Sequence, residues 1–506
     1  MYKARIQPNI LQEKDAAIMF PLAILGALVC LGGLALLYLT DDTTNPFKQM
    51  YMMPWVFLLG VVIAAPNLYL IHKKRFNLFH PLTFAAWSYF IPAFFFGGLI
   101  LASGLSQPFY LVFVEDEQYN LPLTLVYIAL GYGGMTLGFF FASGRNIGKK
   151  ISEWLPIWNW NAEKILLPGA ILLAIGLGNS IIAFAWGILG YQKVNEVGQY
   201  DGLLFLSTLF WLEASFILWL CIFRTPRLRT QHYAVIGLLL LTTIIKAVFQ
   251  GNRGSLISIF FMVACAFIFS VKRIETRHKI YGAGLLVATL VIGMIYGTTF
   301  RSIKTNESRV GLDEYVGTIG STFDKISNQD ATQVLGDGVA AITERIESVS
   351  SLAVIVSNYE KLEPYEESYG LRDNIWNDTI TAFIPRPLWK DKPMGSDPRR
   401  LADLYFSFGE NSFTVTPMGD LLRNFGPLSI PLGMFFIGFV LSVIYSTLVE
   451  NQAFSFWRTT LYYILLTSVS YEGFYGTIAP QMAKYGLMAV IGLLFIRAFQ
   501  GRRNRA

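Results

Sequence analysis

Arg386 stands between two prolines in the segment Phe383-Ile-Pro-Arg-Pro-Leu-Trp-Lys-Asp-Lys-Pro393. Proline fixes its own φ and biases the preceding residue away from helix, so the backbone is expected to be stiff and extended on either side of Arg386. Trp389 offers a flat apolar face, and Arg386, Lys390 and Lys392 place positive charge beside it. A guanidinium can hold two phosphate oxygens at once, and a tryptophan face stacks on a sugar ring. The segment suits a ligand with phosphate at one end and sugar at the other. The plain alternative is a surface loop with a belt tryptophan and basic residues near lipid headgroups.

A second cationic candidate is the turn Gly251-Asn-Arg-Gly254, which joins two apolar runs with almost no spare residues. Its glycines let a ligand approach the backbone around Arg253. An arginine at mid-bilayer costs about 2.5–3.5 kcal/mol, and less near the edge. A phosphate would neutralise it there; a snorkelling turn residue is the equal alternative. Arg301, just past the next run, falls at the same level and could share the anion, whereas Lys246 reads as a snorkelling side chain. Two carboxylates are singled out by position. Glu213 falls near the middle of an apolar run, where an ionisable group is either functional or hydrogen-bonded to a neighbouring helix. Glu472, in Tyr471-Glu-Gly-Phe-Tyr475, falls at the end of another.

Several chemistries are excluded. No Cys or His pair has metal-ligand spacing. No GxxxxGK[ST] loop and no polar domain of nucleotide-binding size occurs on the cytoplasmic side assigned below, so neither a cofactor nor direct use of ATP or a sugar nucleotide is expected. The net charge of +6 sits largely in short connections and does not point to nucleic acid. Cys30, Cys221 and Cys265 fall inside apolar runs and read as small buried residues.

The elements that must position these groups are membrane helices. Hydrophobic residues make up 54% of the chain and charged residues 15%, and the mean hydropathy is +0.46; soluble domains carry about 25% charged residues. About twelve runs approach spanning length, 16–39, 51–71, 81–103, 121–143, 165–190, 203–223, 233–249, 255–271, 280–299, 427–448, 459–471 and 482–499. The first is too long for a cleaved signal peptide and lacks a small-residue cleavage site. Alternate connections are basic: Lys73-Lys74-Arg75, Arg145 with Lys149 and Lys150, Arg224 with Arg227 and Arg229, and the stretches at both termini. Basic connections stay in the cytoplasm, so both termini are expected inside and the long polar segment outside. All four histidines, His72, His80, His232 and His278, then fall on the cytoplasmic side.

The expected organisation is all-α and polytopic: transmembrane helices in 1–299, an outer loop with amphipathic helices in 300–426, and further spans with a basic tail in 427–506. Within the loop, Val339, Ile342, Ile346, Val349, Ala353 and Val356 recur at three- and four-residue steps, one apolar stripe of a helix. Ser396-Asp397-Pro398 reads as a helix start. Glu360, Glu363, Glu366 and Glu367 read as a solvated acidic surface.

Taken together, the many spans, the large outer loop before the last helices, the Arg-Gly turn, Ile-Pro-Arg-Pro-Leu-Trp-Lys-Asp-Lys-Pro and Gly419-Asp-Leu-Leu-Arg-Asn-Phe-Gly426 resemble bacterial oligosaccharide repeat-unit polymerases. These are the Wzy-type enzymes of O-antigen and exopolysaccharide assembly, related to O-antigen ligases. The topological likeness covers nearly the whole chain; the Pro-Arg-Pro-Leu-Trp segment is its more specific part. The resemblance implies a GT-C-like membrane glycosyltransferase at the periplasmic face of the bacterial inner membrane. Its donor and acceptor would be oligosaccharides on polyprenyl pyrophosphate, with membrane lipids, a chain-length regulator and a flippase as further partners. It also implies that outer-face arginines hold the pyrophosphate, here Arg253 and Arg386, with Arg301, Lys392 and Arg423 as companions and Trp389 for the sugar. Ligases of the superfamily place a histidine in the outer loop; this chain has none there. That leaves Glu410, Asp420 or Glu472 as a base, or no base. A ligase and a lipid-linked glycan flippase are the competing readings.

Overall fold

The computed structural model describes residues 48–106, 108–189, 198–251, 253–270, 275–303, 312–328, 347–384, 386–389, 391–393, 395–409 and 412–502. The apolar run 16–39 and Glu410 lie outside them. The described residues form helices and no strand: α1 (Met53–His72), α2 (Pro81–Ala102), α3 (Glu117–Phe140), α4 (Ala142–Trp154), α5 (Ala162–Ala185), α6 (Asp201–Arg224), α7 (Thr230–Gln250), α8 (Arg253–Ser270) and α9 (Thr276–Ile303). The polar segment adds α10 (Leu312–Asn328), α11 (Val349–Glu366), α12 (Asn374–Ala382), α13 (Pro398–Phe406) and α14 (Pro417–Phe425). The chain closes with α15 (Ser429–Leu448), α16 (Phe456–Thr467) and α17 (Tyr475–Arg502). Among the described residues nine helices are long and apolar enough to cross a membrane. The chain is a multi-pass membrane protein.

Two expected spans differ. The apolar part of α8, Leu256–Ser270, is shorter than the nine. The run 459–471 does not form one helix: α16 stops at Thr467 after 12 residues, and the chain continues without helix to Tyr475. Irregular backbone is tolerated at membrane depth only where protein covers it. Ser468, Val469, Tyr471 and Phe474 are buried, and the Glu472 carbonyl accepts from Val415 N and Thr416 N at 3.2 Å each.

Consecutive spans alternate in direction, so connections collect on two faces. One face carries the basic connections 72–81, 140–162 and 224–230, together with 448–456. It is closed by Arg145 on Glu450 at 2.5 Å and by Arg458 Nη1 on Ser152 Oγ at 3.0 Å. The opposite face carries the polar segment. Asn358 Nδ2 of α11 there donates to the Phe113 carbonyl at 2.8 Å.

The centre of the bundle is the α3–α15 pair. A Cβ at Gly138 would collide with the Phe435 carbonyl, and one at Gly438 with the Met135 carbonyl. Small residues at this seam let the two backbones touch, the usual basis of helix association in lipid. Gly144 and Gly148 of α4 pack against α15 in the same way. α15 begins just past α14, so its fit against α3 fixes where the polar segment meets the membrane.

The polar segment is a packed layer. Val349 through Val356 of α11 are all buried, on every side of the helix. The expected single apolar stripe is therefore corrected for the described residues: α11 is enclosed by α3, α13 and α14. Val339, Ile342 and Ile346 lie outside the described residues. The start of α13 falls where the capping pattern places it, with the Asp397 carboxylate accepting from Arg399 N at 2.9 Å.

Candidate functional site: a cationic cluster beside the first half of the last span

Arg386 and Lys392 fold onto one another. Arg386 Nη1 donates to the Lys392 carbonyl at 3.1 Å, and Lys392 Nζ donates to the Ile384 carbonyl at 2.9 Å. The backbone is not extended after Arg386, as its flanking prolines suggest. Trp389 N donates to the Arg386 carbonyl at 3.0 Å and Lys392 N to the Trp389 carbonyl at 3.2 Å, giving two successive turns. Pro387 occupies the second position of the first turn, where a fixed φ near −65° favours turning. Trp389 is half-buried, and Lys390 lies outside the described residues.

Lys484 of α17 lies within electrostatic reach of Lys392. Burial and the charges of Lys484 and Arg386 together hold the Lys392 ammonium below its ordinary pKa. Such mutual repulsion among cations is relieved by an anion. Asp378 of α12 lies within electrostatic reach of Lys484. Its Oδ1 accepts from Ser396 N at 3.0 Å, while Oδ2 is buried and has no hydrogen-bond partner among the described residues. Burial pushes the Asp378 carboxyl above the ordinary range, against the Ser396 hydrogen bonds. α12 is seated on α17 by Gly476, which packs against Ile375 and Asp378. Its outer face is apolar: Trp376, Ile380 and Phe383 are exposed, as is Leu388 beyond them. Cations and an apolar face exposed among the described residues thus adjoin.

Asp420 and Arg423 have another place than the sequence suggests. Both are buried, with side chains 0% exposed. Arg423 Nη2 bonds Asp420 Oδ1 at 2.7 Å and Asn374 Oδ1 at 2.6 Å, and Nη1 bonds Glu366 Oε2 and the Leu371 carbonyl at 2.8 and 2.9 Å. Asp420 Oδ2 accepts from Tyr475 N and Gly476 N at 2.8 and 3.4 Å. Tyr405 OH donates to Glu366 Oε1 at 2.8 Å. Burial works against the Arg423 charge, but Asp420 and Glu366 outweigh it and raise the guanidinium pKa. The hub ties α11, α12, α13, α14 and α17 together, and its charges are turned on one another. Asp420 therefore has no open face from which to take a proton, and Arg423 none for a phosphate. Glu366 leaves the acidic surface read from the sequence; Glu360, Glu363 and Glu367 are exposed.

Glu472 is exposed on the non-helical lead into α17. Gly251 ends α7 at φ +58°, and a Cβ there would strike the Phe300 ring, so a glycine is required. That contact brings the 250–253 turn to the end of α9, where Arg301 follows. The side chains of Arg253 and Arg301 lie outside the described residues. Lys246 does not snorkel: it is buried, with its ammonium 4.8 Å from the centre of the Trp211 ring. Glu213 is buried against Gly492, and both its oxygens are without hydrogen-bond partners among the described residues.

Lys484 and Asp378 are the residues that sequence reasoning missed. Lys484 carried a signal, being an ionisable residue inside an apolar run. Asp378 carried none, since only the docking of α12 on α17 distinguishes it from other acids of the segment.

No protein-family model, curated protein or solved structure matches the chain.

Proposed function

We propose that the chain polymerises polyprenyl-pyrophosphate-linked oligosaccharide repeat units at the periplasmic face of the bacterial inner membrane. The observation that carries this reading is the folding of Arg386 onto Lys392, with Lys484 within electrostatic reach of Lys392, beside the exposed apolar face of α12. A diphosphate on an isoprenoid tail has the matching chemistry, with the charge on the cations and the tail along the apolar face.

In the reaction an acceptor sugar hydroxyl attacks the anomeric carbon of the donor glycan. The bond from that carbon to the pyrophosphate oxygen breaks, and polyprenyl pyrophosphate leaves with the electron pair. The cations stabilise the charge that develops on the leaving group. The hydroxyl proton needs an acceptor. Asp378 is the favoured group, as a buried carboxyl with one oxygen unpartnered among the described residues and within electrostatic reach of Lys484; exposed Glu472 is the second. Arg423 and Asp420 act as positioning residues, holding α12 against α17. The expected orientation puts the basic face in the cytoplasm.

Arg386→Ala and Lys484→Ala are expected to leave the protein in the membrane and to stop chain extension. A deletion strain complemented with either variant should accumulate lipid-linked single repeat units. Polymer of wild-type length in both variants overturns the assignment. Accumulation of untransferred full-length polymer points instead to a ligase.

A further inference from the structure

On the basic face, a cavity of about 1040 Å³ opens among α1, α3, α4 and the end of α15. Lys73, Lys74 and Arg75 line it from the turn after α1, and Arg145 and Lys149 from α4. Glu450 is the one acid among the lining residues, and Arg145 takes it up with a two-point grip, Nη2–Oε1 at 2.5 Å and Nε–Oε2 at 3.0 Å. The remaining four cations form no ion pair among the described residues.

The turn that presents three of them is unusual. Lys74 N donates to the Ile71 carbonyl and Arg75 N to the Leu70 carbonyl, both at 2.9 Å, the two bonds that close a helix through a left-handed residue. That residue is Lys74, at φ +54°, where glycine is normally favoured. Strain of this kind persists where the surroundings enforce it, and it concentrates at ligand-binding positions. The rim of the cavity is apolar on the lipid side. Tyr69 and Phe140 line it, both exposed, with ring centres 5.5 Å apart.

We propose that this cavity binds the phosphate of an anionic phospholipid from the leaflet on the basic face, with its acyl chains leaving past Tyr69 and Phe140. The shared chemistry is a phosphate ester among cations that form no ion pair among the described residues. The aromatic rim favours a lipid over a soluble phosphate, and basic pockets between membrane helices on this side are suited to anionic headgroups. The site lies on the face opposite the cationic cluster near Asp378 and does not depend on the function assigned there.

The test uses the full chain in vesicles of phosphatidylcholine containing a minor fraction of phosphatidylglycerol. Lipid retained by the purified protein is read by mass spectrometry, with glycerol 3-phosphate as the soluble competitor. Wild-type protein should retain phosphatidylglycerol in preference to phosphatidylcholine, and glycerol 3-phosphate should not displace it. Each cation removed should weaken the preference about five-fold. Lys74→Gly isolates the charge, because glycine accepts the left-handed turn and folding is preserved. Lys149→Gln repeats the test from α4, and Lys361→Gln on the opposite face should change nothing. Equal lipid retention by wild type, Lys74→Gly and Lys149→Gln overturns the proposal. Displacement by glycerol 3-phosphate overturns the lipid source and leaves a soluble phosphate ester as the ligand.

Discussion

At the residue scale, buried charge in this protein divides into groups that satisfy one another and groups left with a free valence. Arg423 belongs to the first kind. Removing one partner of a buried pair strands the others, at a cost of about 3–5 kcal/mol. Arg423→Ala is therefore expected to lower the unfolding temperature sharply in detergent, and to abolish activity only along with the fold. A stable but inactive Arg423→Ala protein would instead make the residue a direct participant. Glu347 is another buried charge-bearing residue. It accepts from Ser350 N at 2.8 Å at the start of α11, and burial outweighs that bond and raises its pKa from 4.5 to about 7. A raised carboxyl pKa means that the folded state binds the extra proton. Its contribution is fully present below pH 4.5 and fades as pH rises through about 7. Thermal unfolding from pH 5 to 8 should show this decline, roughly 1–3 kcal/mol in size, and Glu347→Gln should flatten it. An unchanged slope in the variant assigns the pH dependence to other groups.

At the element scale, the determining contact is α3 on α15. Gly438→Val should force the two backbones apart, since even a Cβ collides with the Met135 carbonyl. The expected cost is about 1–3 kcal/mol or more, with loss of α14 docking. Gly237→Val of α7, where nothing lies within 4 Å, should be far milder. Comparable unfolding temperatures for the two would refute the seam as the organising contact. The hydrophobic pattern made most helices legible, because a run of about 20 apolar residues has few other fates. It failed for 459–471, where the helix ends at Thr467 and the rest of the run stays irregular. Composition does not distinguish a lipid-facing turn of helix from irregular backbone covered by protein.

At the scale of the whole molecule, two polar faces flank one apolar bundle, and the sidedness proposed above follows from where the basic connections fall. Ser368, exposed after α11, gives a direct check. With the native cysteines replaced, Ser368→Cys should react with an impermeant thiol reagent added outside cells whose outer membrane is permeabilised. Protection until the inner membrane is broken would invert the orientation. The amino-acid sequence alone determined that the chain is helical and crosses a membrane repeatedly, and where α13 starts. Those properties follow from local hydropathy and capping. Only the tertiary structure decided how the charged residues are partnered. In the sequence Arg386 and Arg423 are both cations of one loop, yet Arg423 is enclosed by Glu366 and Asp420 while Arg386 folds onto Lys392. The reason is physical: a charge becomes buried or available through partners tens of residues away in sequence, and no local pattern encodes that pairing.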